Sequence, residues 1–113
     1  NTNFDNSVSV DVKAMSLGAG SHILDLNRNA NFKLTLSGNI TLVNPAELTA
    51  GTTGSIFIVQ DGTGSRTVSY GTSWDFIGGT APTMTTAASS VDRIDYIVLD
   101  STNIHAVATL AYS

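Results

Sequence analysis

The chain has no cysteine, two prolines, one tryptophan and a single glutamate, Glu47, among its 113 residues. Without cysteine there is no disulfide framework, no thiolate nucleophile and no cysteine-ligated zinc. Charge is scarce too, since Asp, Glu, Lys and Arg make up 12% of the chain, about half the ~25% usual in globular domains. Five cations stand against nine anions, for a net charge of −4. The cations are Lys13, Arg28, Lys33, Arg66 and Arg93, scattered along the sequence. A nucleic-acid backbone therefore meets no cationic cluster able to displace its counterions, and an anionic membrane surface is an equally poor partner. No apolar run reaches the roughly 18 residues of a spanning helix, so no membrane insertion is expected. The chain opens on Asn1 with no methionine or signal-like segment, and it is read as a fragment of something longer.

What is abundant is uncharged polarity. Ser, Thr and Asn supply 37 residues. Threonine suits strands, while serine and asparagine suit turns, so the composition points to β structure. The length fits one domain.

Periodicity agrees, because the readable period is two rather than 3.6. Val8, Val10, Val12 and Ala14 alternate with Ser7, Ser9, Asp11 and Lys13, which predicts a strand over 7–15 with Val12 and Ala14 on its apolar face. A shorter strand is expected within 21–26. Phe32, Leu34, Leu36, Ile40 and Leu42 share one parity across Ser37-Gly38-Asn39. A three-residue hairpin loop would keep them on one face, and a single bent strand would do the same. Asn44-Pro45 ends that segment. A second hairpin is expected from 54–60 through Asp61–Ser65 into 66–70, and a third joins 93–99 to 103–112 across Asp100-Ser101-Thr102. About eight short strands with frequent turns suggest a sandwich, jelly roll or small barrel.

Two of these strands are apolar on both faces: Ile56, Phe57, Ile58 and Val59 in one, Ile94, Tyr96, Ile97, Val98 and Leu99 in the other. A lone sandwich needs one apolar face per strand. The second face is covered either by the loop bearing Trp74 and Phe76 or by a neighbouring subunit.

Catalytic constellations are hard to find. No G-x-S-x-G is present, since Gly18–His22 and Gly71–Asp75 both lack the closing glycine. His22 and His105 lie far apart and read as surface or strand-edge imidazoles, so no metal site is expected. Asp92 and Asp95 fall on opposite faces if both belong to one strand, which does not make a glycosidase dyad. Asp61–Ser65 has too few carboxylates for a calcium loop. No catalytic residue and no cofactor are assigned. Tyr70, Trp74 and Phe76 are candidates for a sugar-stacking platform, against the simpler reading of Trp74 as a core or loop anchor.

Taken as an ordered set, several segments resemble a domain of phage and prophage tail fibres. They are Leu34–Leu42, Asn44–Gly51, Gln60–Val68, Tyr70–Phe76, Gly78–Thr83 and Ala87-Ala88 with Val91-Asp92. The resemblance runs from about residue 21 to the C-terminus. It implies a β-rich structural module of a virion appendage, usually a homotrimer, that sometimes carries receptor-binding loops and brings no catalytic residues.

Combined, these readings give an all-β, jelly-roll-like sandwich assembled as a homotrimer. Residues 1–20 form an N-terminal strand and junction, and 21–113 form the appendage domain. The expected function is non-enzymatic, presenting loops to a host glycan or protein receptor beside other virion proteins, with Tyr70 and Trp74 as possible ligand contacts. The alternatives are a capsid decoration or head fibre, a carbohydrate-binding module, and a depolymerase fragment.

Overall fold

A computed structural model describes residues 11–112. Nine strands run through them in chain order: β1 (Val12–Leu17), β2 (Gly20–His22), β3 (Asn31–Leu36), β4 (Ile40–Leu42), β5 (Thr53–Gln60), β6 (Val68–Tyr70), β7 (Trp74–Phe76), β8 (Val91–Asp100) and β9 (Asn103–Tyr112). They form a six-stranded sheet of order β1-β3-β5-β8-β9-β7 and a three-stranded sheet of order β2-β4-β6. The all-β sandwich expected from composition and alternation is present. Strand direction is what alternation did not convey. A jelly roll pairs its strands antiparallel, whereas β1-β3-β5 and β2-β4-β6 pair parallel throughout. Only β5-β8 and β8-β9 pair antiparallel.

The chain makes three passes, each laying one strand in the large sheet and the next in the small one. The shared parity of Phe32, Leu34, Leu36, Ile40 and Leu42 belongs to such a pass: all five are at most 2% exposed. The expected hairpin does not form, because β3 pairs with β1 and β5 while β4 pairs with β2 and β6. The bent-strand alternative is the one adopted. The bends themselves stack: Ser37 N–H donates to Leu17 O at 2.9 Å, and Gly20 N–H donates to Asn39 O at 3.1 Å. A Cβ on Gly38 would overlap the Ala19 backbone, so this crossing needs glycine for clearance.

The expected hairpin between 54–60 and 66–70 is likewise replaced by a crossing between sheets. Gln60, 2% exposed, directs it. Its Nε2 donates to Arg66 O at 2.8 Å and Thr85 O at 3.1 Å, and its Oε1 accepts Arg66 N–H at 3.0 Å. Asp61 accepts the amides of Thr63 and Gly64 and pairs with Arg66 at 3.0 Å. Arg66 and these amides hold the Asp61 carboxyl below its usual range. The third hairpin, β8 to β9, forms as expected, with Asp100 opposite Asn103.

The first strand differs from expectation in its face. Val12 and Ala14 are exposed, Met15 is partly buried and Leu17 is 3% exposed. Parallel register sets Met15 beside Leu34 and Leu17 beside Leu36, so the two larger side chains take the core and the smaller ones face out. Val8 and Val10 lie outside the described residues. The strand expected within 21–26 ends at His22, after which Leu24 and Leu26 are buried and Ile23 points out.

Between the sheets lies one hydrophobic core, with Ile56, Ile58, Ile94, Val98 and Ile104 at 1% exposure or less. Each such side chain contributes roughly 1.5–3 kcal/mol by leaving water.

Candidate functional site

The sheet topology divides the two-sided strands cleanly. Ile56, Ile58, Ile94, Tyr96 and Val98 face inward and are buried by their own chain. Phe57 and Val59 are half-buried on the opposite face, and Ile97 and Leu99 are 49% and 54% exposed there. Ser55, Arg93 and Asp95 share this outer face. Ser55 Oγ–H donates to Asp95 at 2.6 Å, Arg93 pairs with Asp95 at 3.1 Å, and the Arg93 guanidinium lies 5.1 Å from the Tyr112 ring centroid. Arg93 and Asp95 thus offset each other, while exposed Lys33, in register with Phe57, adds a positive charge to the same face. The face continues onto β9, where exposed Val107 lies opposite Asp95.

Of the two expected covers for this face, the aromatic loop is not one. Trp74 pairs in register with the buried Ile104, is 5% exposed, and meets the inward-facing Tyr96 edge-on at 6.3 Å. Its Nε1–H donates to Val43 O at 3.3 Å. Trp74 is therefore the anchor of its loop, on the core side. Its neighbour Tyr70 packs edge-to-face on Phe76 at 4.7 Å and lies 6.5 Å from Trp74. The Tyr70 hydroxyl is buried with no hydrogen-bond partner, and burial pushes its pKa up.

These aromatics wall a hollow of about 340 Å³, lined also by Ser69, Asp75 and Ala81. Tyr70 and Phe76 are only partly buried in it. The site residues proposed from sequence thus fall into three places: the core, the outer face of β5 and β8, and this hollow.

Periodicity did not reveal Ile77, 79% exposed on the 3-10 turn Ile77–Gly79, nor the outward Val107 and Tyr112. For Ile77 the available signal was an apolar residue directly before Gly78-Gly79. Both glycines have positive φ, a conformation in which an apolar tip can be presented at little strain.

Among the remaining polar candidates, His22, Asp92 and Asp95 have structural partners. His22 Nε2 lies 2.7 Å from Gly18 O, and His105 is exposed on β9. Asp92 and Asp95 do lie on opposite faces. Asp92, 1% exposed, accepts the amides of Thr85 at 2.6 Å and Ala111 at 2.7 Å. Among the described residues no group of three or more His, Asp or Glu side chains is placed to hold a metal ion.

A parallel-stacked sandwich with one largely apolar face left open has the features of a structural assembly module. The family described as "Putative phage tail fibre C-terminal domain" matches residues 19–108, and the chain belongs to that family. Its place is accordingly the tail appendage of a virion, in association with other virion proteins. No curated protein and no solved structure matches the chain.

Proposed function

We propose that this domain is a non-enzymatic module of the tail fibre that trimerises through the outer face of the large sheet and offers its loops to the host surface. The observation that carries the reading is the exposure of Ile97 and Leu99 at 49% and 54%, beside Val107 at 44%. Contiguous apolar surface on a sheet marks an interaction site, and the Arg93–Asp95 pair offsets its own charge at the centre of that face. Identical copies satisfy such a face, and a head-to-tail contact that closes after three gives a ring. In this reading residues 1–20 carry the strand β1 of the large sheet and the junction toward the neighbouring part of the fibre, and 21–113 form the rest of the displayed domain. Clustered copies then gain avidity from weak single contacts with the host.

Sedimentation equilibrium at micromolar concentration tests the assembly. The expected species has about three times the 11.8 kDa chain mass; a clean monomer would overturn the trimer.

A further inference from the structure

We propose that Lys33 of one copy pairs with Asp75 of the next across the subunit contact. This deepens the trimer reading and rests on it.

The outer face of the large sheet carries few charges. Alternation and register put Lys33 of β3, Arg93 and Asp95 of β8, and Asp75 of β7 on it, with His105 beside Asp75. Arg93 and Asp95 hold each other at 3.1 Å in the middle. Lys33 is exposed and Asp75 half-buried, one on each side of that pair, and the ion pairs among the described residues include neither. Between them lies the apolar surface of Phe57, Val59, Ile97, Leu99 and Val107. Asp11 and Glu47 lie outside the sheet, before β1 and between β4 and β5.

Within one chain Lys33 and Asp75 are too far apart to meet. β3 and β7 are four strands apart, roughly 19 Å at the usual ~4.8 Å spacing. Lys33 shares a row with Phe57 and Arg93, and Asp75 shares one with His105 and Ile97. On β8 those rows are separated by about 13 Å.

Covering the apolar surface with other copies takes both charges out of water, and a charge buried without a partner is costly. The partner must then come from another copy. A head-to-tail contact supplies it, because it sets the β3 side of one face against the β7 side of the next. The attraction grows as water leaves. Strands inclined by about 35° to the threefold axis bring the two residues level, a tilt that closed sheets commonly adopt.

Sedimentation equilibrium of the whole chain tests the pair, comparing the parent with Lys33→Asp, Asp75→Lys and the two together. Each single reversal sets like charges face to face and should raise the concentration at which the trimer half-dissociates by about tenfold or more. The double variant restores the pair with its sense exchanged and should return to within a few fold of the parent. Lys13→Asp makes the same change in net charge as Lys33→Asp, but on the side of β1 in register with buried Phe32, and should leave assembly unchanged. Lys33→Gln and Asp75→Asn remove the charge with little change of shape, so they test the pair even if a reversal fails to fold. Each should weaken assembly by a smaller factor, and about 0.5 M salt should narrow the spread among all the variants. A trimeric parent with both reversals unaffected, or a double variant no better than the singles, overturns the pairing and leaves the trimer standing. A monomeric parent overturns the trimer and the pairing with it. A dimeric parent whose reversals are rescued by the double variant overturns the trimer and keeps the pair, since a two-fold contact brings the same two residues together.

Discussion

Asp92 reaches across from β8 to the last turn of β9, where its Oδ1 accepts the Ala111 amide at 2.7 Å. Ala111 has φ 61°, and the sheet register is irregular at this point. The other oxygen, Oδ2, holds the Thr85 amide at 2.6 Å, so one buried carboxylate joins the end of the chain's last strand to the segment before β8. Hydrogen bonds to a charged acceptor contribute about 1.5–3 kcal/mol each. Asp92→Ala should therefore cost about 3 kcal/mol or more in urea melts, and Asp92→Asn, which keeps one acceptor, should cost less. Equal stability of Asp92→Ala and the parent would show the carboxylate to be idle.

The hydroxyls of Tyr96 and Tyr70 give opposite expectations. The Tyr96 hydroxyl donates to Ala30 O at 2.6 Å, whereas the Tyr70 hydroxyl has no partner. Removing a paired hydroxyl loses about 1 kcal/mol and leaves Ala30 O bare, while removing an unpaired one relieves a desolvation cost of similar size. Thermal melts should show Tyr96→Phe destabilised and Tyr70→Phe neutral or stabilised. The reverse order would contradict the hydrogen-bond assignment.

Stability should also fall at both ends of the pH scale, for different residues. Burial pushes the Tyr96 pKa from 10.0 up to about 12. The neutral phenol is the form the fold prefers, so its contribution is complete below pH ~10 and is lost as pH rises through about 12. At the acid end, Asp61 is held below 3.8 chiefly by the Arg66 side chain, and Asp100 chiefly by the Thr102 amide. Their contributions are complete above pH ~4 and fade as pH falls through the lowered values. Melting temperature against pH should therefore drop between pH ~10 and ~12 in the parent, and that alkaline drop should shrink in Tyr96→Phe.

Glycine positions divide in the same testable way. Gly38→Ala meets the Ala19 backbone, whereas Gly62→Ala meets nothing within 4 Å. The first should lose about 1–3 kcal/mol by overpacking, and the second should be neutral or gain up to ~1 kcal/mol. Chemical denaturation of both variants checks the stacked-bend geometry directly.

The core of β3 and β4 was legible in the sequence because side-chain parity determines it there, whereas the parity of Val12 and Ala14 pointed β1 the wrong way. Phe32, Leu34, Leu36, Ile40 and Leu42 are buried together whether a hairpin or a bend joins them. Which of these occurs depends on what lies beside Leu36. That neighbour is Leu17 on one side and Gln60 on the other, at sequence separations that no local pattern encodes. The two-sided strands announced surplus apolar surface, and the structure shows that half of it stays uncovered. The hollow was half legible: Tyr70, Trp74 and Phe76 stood out as aromatics. What the pattern did not convey is that Tyr70 of the small sheet packs on Phe76 of the large one.

Where copies of the chain meet is tested most directly by the mass in solution of an Ile97→Ser/Leu99→Ser variant beside the parent. Both side chains are about half exposed, so the substitutions should leave the melting temperature within a few degrees. The expected result is a folded monomer from the variant and a three-chain species from the parent. An unchanged trimer in the variant would place the subunit contact on some other surface.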